Sequence, residues 1–151
     1  MRVLFRVDGG PAIGWGHVSR CVALAADLVG RGAQVIWACR AEPGLSGLMD
    51  RPPEVSLPGQ ASFEPLPVSE IEPIVSAVGA IDWVVVDHYG AQQDYLDALG
   101  VGTGAKILLM DDALLLHLRL PWDRLQLWDA PLVPLRKPTP QVGRQLDPTR
   151  Y

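Results

Sequence analysis

One histidine in this chain stands where a general base would. His17 follows Gly9-Gly10-Pro11-Ala12-Ile13-Gly14-Trp15-Gly16, half of it glycine, and opens a stretch with helical spacing. The dipole at a helix N-terminus disfavours an imidazolium, so His17 is expected to stay neutral near pH 7 and able to accept a proton. Backbone N–H groups of a glycine-rich turn, with the positive helix end behind them, suit an anion such as a sugar diphosphate. Gly14 and Gly16 are the candidate backbone contacts for that group. Arg20, one turn further on, is placed to reach a phosphate or to pair with Asp8. The plainer readings are a histidine that caps or packs and an arginine that is solvated or structural.

Other candidates sit at the ends of apolar runs. Asp8 ends the first, Asp87-His88-Tyr89-Gly90 ends another, and Asp111-Asp112 ends a third. Asp8, Asp87, His88 and Tyr89 are candidate substrate contacts, although Asp87-His88-Tyr89-Gly90 also reads as a helix cap and turn. Asp111-Asp112 reads better as a turn cap or hydroxyl ligand than as a metal site, and no metal is expected. Arg6 lies inside an apolar run, where a guanidinium needs a partner, and Asp8 is the nearest carboxylate. Cys21 falls on an apolar helix face and reads as core. Trp15 covers the crevice or packs.

Known glycine motifs do not fit. Gly9 and Gly14 have the outer spacing of a P-loop, but Trp15-Gly16 replaces its lysine and hydroxyl residue. Gly14-Trp15-Gly16 starts like a dinucleotide fingerprint, but Ser19 stands at the third glycine, and Cys39-Arg40 supplies no acidic ribose ligand. No nicotinamide or flavin cofactor is expected.

The elements that would position these residues alternate. Residues 3–7 read as a strand and residues 17–29 as an amphipathic helix, with Val18, Cys21, Val22, Ala25, Leu28 and Val29 on one stripe. Gly30-Arg31-Gly32 stops the helix. Residues 34–39 read as a second strand. Residues 41–67 carry weaker signals, a short helix at 45–49 and a strand near Phe63. Ser69-Glu70-Ile71-Glu72 is a capping box opening a helix to about Ala77. Residues 83–87 and 106–110 are apolar runs of the kind covered on both faces in a parallel sheet, with a helix over 92–99 between them. This alternation predicts an α/β, Rossmann-like, doubly wound, mainly parallel sheet over residues 1–112, with the candidate residues at the carboxyl ends of its strands.

Residues 113–151 break the pattern. They hold six of the 14 prolines and one of the 15 glycines. They are expected to be a divergent proline-rich tail, such as a frameshifted or truncated gene would give. Over the whole chain of 151 residues, hydrophobic residues make up 48% and charged residues 20%, with a net charge of −4. That composition is globular and gives no general attraction to nucleic acid or anionic membrane. No window reaches the roughly 18 apolar residues of a membrane span. Two cysteines make no disulfide framework, and a cytoplasmic location is expected.

Three ordered motifs are similar to one family. Arg6-Val7-Asp8 with Ile13-Gly14-Trp15-Gly16-His17-Val18-Ser19-Arg20-Cys21-Val22-Ala23-Leu24-Ala25, then Asp82-Trp83-Val84-Val85-Val86-Asp87-His88-Tyr89-Gly90, then Met110-Asp111-Asp112, resemble the signatures of the nucleotide-sugar hydrolases of pseudaminic acid synthesis. The resemblance covers about the first 112 residues. It implies a GT-B-like architecture, two Rossmann-like lobes facing across a cleft, akin to the peptidoglycan N-acetylglucosaminyltransferase. It implies that the residue matching His17 activates water to attack the anomeric carbon of a UDP-sugar, with inversion and without metal. Members are longer than this chain and carry a second lobe that supplies most of the UDP surface, so a separately encoded lobe, a lost lobe or self-association is expected. A glycosyltransferase-like lobe and a non-catalytic sugar- or partner-binding fragment are the alternatives.

Overall fold

The computed structural model describes residues 1–110. Five parallel strands lie in the order β3-β2-β1-β4-β5. They are β1 (Arg2–Val7), β2 (Gln34–Arg40), β3 (Val55–Leu57), β4 (Trp83–Asp87) and β5 (Lys106–Leu109). The helices are α1 (Gly16–Gly30), α2 (Leu45–Met49), α3 (Ile71–Val78), which follows a 3-10 turn at Val68–Glu70, and α4 (Gln93–Thr103). The doubly wound α/β expectation holds for these residues.

The strand sequences explain the two layers. Side chains alternate along a strand. Val3, Phe5 and Val7 of β1 join Val35, Trp37 and Cys39 of β2 and Val85 of β4 under α1 and α2. Leu4 joins Ile36, Ala38, Val84 and Val86 on the other face, under α3 and α4. Both faces are covered, so β1 and β4 need apolar residues at consecutive positions, as their sequences show. Trp15 packs against the α1-side core.

β1 pairs with β2 on one side and β4 on the other, with Val7 level with Asp87. The winding direction reverses between β1 and β4. The turns leaving those two strands therefore separate and open a crevice at their carboxyl ends.

Two expectations need correction. The third strand is Val55–Leu57, not near Phe63, which is half exposed against Tyr89. Ser69-Glu70-Ile71-Glu72 does not form a capping box: Ser69 lies in the 3-10 turn, and no side chain caps α3. The Glu70 carboxylate is drawn instead to two buried arginines. α4 also runs beyond Leu99, through two glycines. A Cβ on Gly102 would lie 3.0 Å from Val75 and 3.1 Å from Ile71, so a larger residue here would push those side chains back by a few tenths of an ångström. The proline-rich tail and Asp111-Asp112 lie outside the described residues.

Candidate active site

The β1–α1 turn is built by its glycines. Gly10 and Gly14 exchange backbone hydrogen bonds of 3.1 and 2.8 Å, and Gly14 takes a left-handed φ of 79°. Gly9 passes so close to α1 that a Cβ would lie 2.6 Å from Val18. The chain then enters α1 at Gly16 with no side-chain cap. Nothing among the described residues lies within 4 Å of where a Cβ on Gly14 or Gly16 would be, so that rim is open to a ligand.

His17 is buried in the first turn of α1. Its Nδ1 lies 2.6 Å from Asp87 Oδ1, across the crevice from β4. Asp87 is fully buried, and a carboxylate accepts a hydrogen bond. Nδ1 therefore carries the proton, and Nε2 keeps the lone pair a base needs. Arg20 donates to both Asp87 oxygens through Nε and Nη2; its Nη2 also lies 3.1 Å from His17 Nδ1, which with a proton on Nδ1 is a contact between two donors that share Asp87 and not a hydrogen bond. Of the roles considered for Arg20, the pairing with Asp8 is replaced by a pairing with Asp87, because Arg20 and Asp8 belong to opposite faces of the sheet. Tyr89 stands edge-on to the His17 ring, with centroids 4.8 Å apart, and Phe63 leans on Tyr89 at 5.5 Å.

Cys21 Sγ lies 3.5 Å from Asp87 Oδ2. Burial, with the Asp87 charge beside it, pushes this thiol far above the ordinary cysteine range. A thiol so placed is a weak donor to the carboxylate and not a nucleophile.

A second cluster lies on the α3–α4 face. Arg6 donates to Asp8 Oδ2 at 3.0 Å and to Glu70 Oε2 at 3.0 and 3.2 Å, as its place in β1 requires, while its Nη1 lies 2.8 Å from Asp8 Oδ1 as an ion pair without a hydrogen bond. Arg40 pairs with both Asp8 and Glu70, and its backbone N–H donates to Asp8 Oδ1 at 2.8 Å. Tyr95 Oη is 3.4 Å from Glu70. His88 Nδ1 accepts the Gly90 N–H at 2.9 Å, which puts the ring proton on Nε2, 3.5 Å from Asp8 Oδ2. Burial alone would raise the Asp8 carboxyl. The His88 Nε2–H facing the carboxylate at 3.5 Å, and the Arg6 charge, outweigh it and hold Asp8 far below the usual carboxylate range. Two guanidinium and two carboxylate groups balance here, which is how such a cluster survives burial.

The candidate residues thus divide. His17, Arg20, Asp87 and Tyr89 come together, with Gly14 and Gly16 on the rim. Asp8 and His88 are buried in the ion cluster behind them. Arg40, Glu70 and Phe63 were not singled out from sequence as site residues. Arg40 carried a signal, a charge at the carboxyl end of an apolar strand. Glu70 and Phe63 reach the site from distant loops and carried none. Among the described residues no group of three or more His, Cys, Asp and Glu side chains is arranged to hold a metal ion, and no helix is long and apolar enough to cross a membrane.

No family model matches the chain. No solved structure matches it. Over 124 residues it is 32% identical to UDP-2,4-diacetamido-2,4,6-trideoxy-β-L-altropyranose hydrolase of Campylobacter jejuni subsp. jejuni serotype O:2, covering 78% of this chain. What the chain is similar to is therefore a protein named as a hydrolase of a UDP-sugar, and it spans 39% of that protein's length.

Proposed function

We propose that this chain is the base-bearing lobe of a nucleotide-sugar hydrolase, with His17 as general base. The observation that carries the reading is the 2.6 Å contact between His17 Nδ1 and the buried Asp87 carboxylate, at the point where the sheet reverses its winding. A carboxylate behind an imidazole fixes the tautomer and steadies the cation that forms when Nε2 takes a proton.

The finer chemistry follows the resemblance. His17 Nε2 removes a proton from water, the oxygen bonds the anomeric carbon, and the carbon–oxygen bond to UDP breaks with its electron pair leaving on the diphosphate. Attack from the face opposite UDP inverts the carbon. The open rim at Gly14 and Gly16 and the first N–H groups of α1 suit the polar substrate. A second lobe facing the crevice would close it and supply most of the UDP contacts, in the manner of GT-B enzymes. The diacetamido-trideoxy-altrose UDP-sugar named for the Campylobacter relative is the substrate to test first.

The experiment measures UDP release from that sugar nucleotide by the chain alone and by the chain fused to the rest of the relative's length. His17→Asn is expected to lower kcat at least about a hundredfold with little change in KM, since a positioned base contributes roughly 10²–10⁴-fold. Near-normal kcat, or a loss in KM alone, overturns the assignment. Release that depends on an added sugar acceptor would make the protein a transferase. Binding without turnover by the fused protein would make the lobe a binding module.

A further inference from the structure

We propose that His88 is a positioning residue, whose Nδ1 holds the turn that sets Tyr89 against the His17 ring. The proposal rests on the reading of His17 as the base, and it concerns how that ring is held.

The turn after β4 is pinned at four backbone groups, on either side of Tyr89. The Gly90 N–H donates to His88 Nδ1 at 2.9 Å. The Gly90 carbonyl accepts the Leu66 N–H at 2.8 Å, and the Ala91 N–H donates to the His88 carbonyl at 3.1 Å. Gly90 is pressed so tightly on the neighbouring loop that a Cβ there would lie 2.0 Å from the Glu64 carbonyl oxygen. Between these fixed points Tyr89 is 40% exposed and stands edge-on to His17 at 82°. The pinned backbone thus aims one aromatic ring at the imidazole.

His88 is suited to hold this turn because its two ring nitrogens do different work. Nδ1 must be unprotonated to accept from Gly90, so Nε2 carries the hydrogen and faces Asp8 Oδ2. Asp8 is itself held by Arg6 and Arg40, which also hold Glu70. The Gly90 N–H therefore fixes the His88 tautomer, the Nε2–H facing Asp8 without a hydrogen bond to it, while His88 holds the turn and the turn holds Tyr89. His88 has a side-chain exposure of 3%, so it acts through Tyr89 and not by touching substrate.

The two nitrogens can be separated by substitution. Asn places an acceptor near the position of Nδ1, whereas Gln places a donor near that of Nε2. The readout is the His17 ring C–H chemical shifts in the full chain, which the edge-on Tyr89 ring perturbs and which need no substrate. His17→Asn assigns the signals, and Tyr89→Leu gives the shifts without the aromatic ring. His88→Asn is expected to keep the His17 shifts of the parent protein, and His88→Gln to move them most of the way to the Tyr89→Leu values. A merely structural His88 would lower stability and leave the shifts of the folded protein in place, which overturns the proposal. Nitrogen-15 spectra of the parent protein give a second test that no variant's folding can obscure. A His88 protonated on Nδ1 at neutral pH overturns the proposal as well. Either outcome is independent of whether UDP release is detected, so this proposal and the hydrolase reading can fail separately.

Discussion

Asp8 and Asp87 leave adjacent parallel strands one register step apart, yet their carboxylates serve opposite faces of the sheet. Val7 is level with Asp87, so Asp8 lies just beyond it. Asp87 turns to α1 and takes His17 and Arg20. Asp8 turns to the other face and takes Arg6 and Arg40. One edge of the sheet thus carries both a candidate reaction site and the ion cluster behind it.

Asp87→Asn removes the charge behind His17 and nearly preserves shape. An amide can meet Nδ1 with either its oxygen or its nitrogen, so the tautomer is no longer fixed. UDP release by the fused protein is expected to fall about tenfold to a hundredfold, less than for His17→Asn, because the base itself remains. Nitrogen-15 spectra of His17 should show a mixed tautomer. Unchanged kcat would remove Asp87 from the site.

Acid should weaken the fold through Asp8. Its folded-state pKa is depressed, so the unfolded chain binds a proton first as pH falls. Stability is then fully present above the unfolded carboxyl value of about 4 and is lost as pH drops below it. Urea midpoints measured from pH 7 down to pH 3 should fall, and Asp8→Asn should flatten that fall while lowering the midpoint at pH 7.

Arg6→Leu leaves Asp8 and Glu70 short of one cation in a buried place. The expected cost is about 3–5 kcal/mol, read as a lowered denaturant midpoint. Arg6→Leu combined with Glu70→Leu should cost less than the sum of the two single changes, since the pair meets at 3.0 Å. Additive costs would mean that Arg6 and Glu70 do not support each other.

Two glycines should respond in opposite ways. Gly90→Ala drives a methyl into the Glu64 carbonyl, and loss of at least about 2 kcal/mol or failure to fold is expected. Gly16→Ala meets open space at the start of α1 and should stabilise by up to about 1 kcal/mol. If the rim binds substrate, Gly16→Ala also raises KM. Thermal melts and UDP-release kinetics check both.

Cys21 and Cys39 should be silent to thiol reagents until the protein unfolds. Both are fully buried, and burial with the Asp8 charge nearby pushes Cys39 up to about 12. At pH 8 the rate of labelling should follow unfolding and not the intrinsic thiol chemistry.

The parts of the fold that were legible in the sequence are those dictated by local pattern. Residues 83–87 read as a strand because four consecutive apolar positions between two aspartates suit a doubly covered strand. His17 was legible because the glycine run and the change of period meet at it. The partners were not legible, since contact is set by register. Arg20 could be assigned to a phosphate or to Asp8 until β4 was known to place Asp87 facing α1. Glu70 looked like a helix cap because nothing local reveals an arginine 64 positions away. Phe63 looked like a strand residue because an isolated aromatic in a proline-rich stretch has no period to read.

The placement of β1 in the middle of the sheet has a consequence for synthesis on the ribosome. Its first neighbour, β2, is available after Arg40, but the second is β4, and His17 meets Asp87 across 70 positions of chain. Contacts this distant close late and slowly. During elongation one edge of β1 waits uncovered, and a nascent chain halted before Asp87 would leave both the imidazole and the Arg20 guanidinium without that carboxylate.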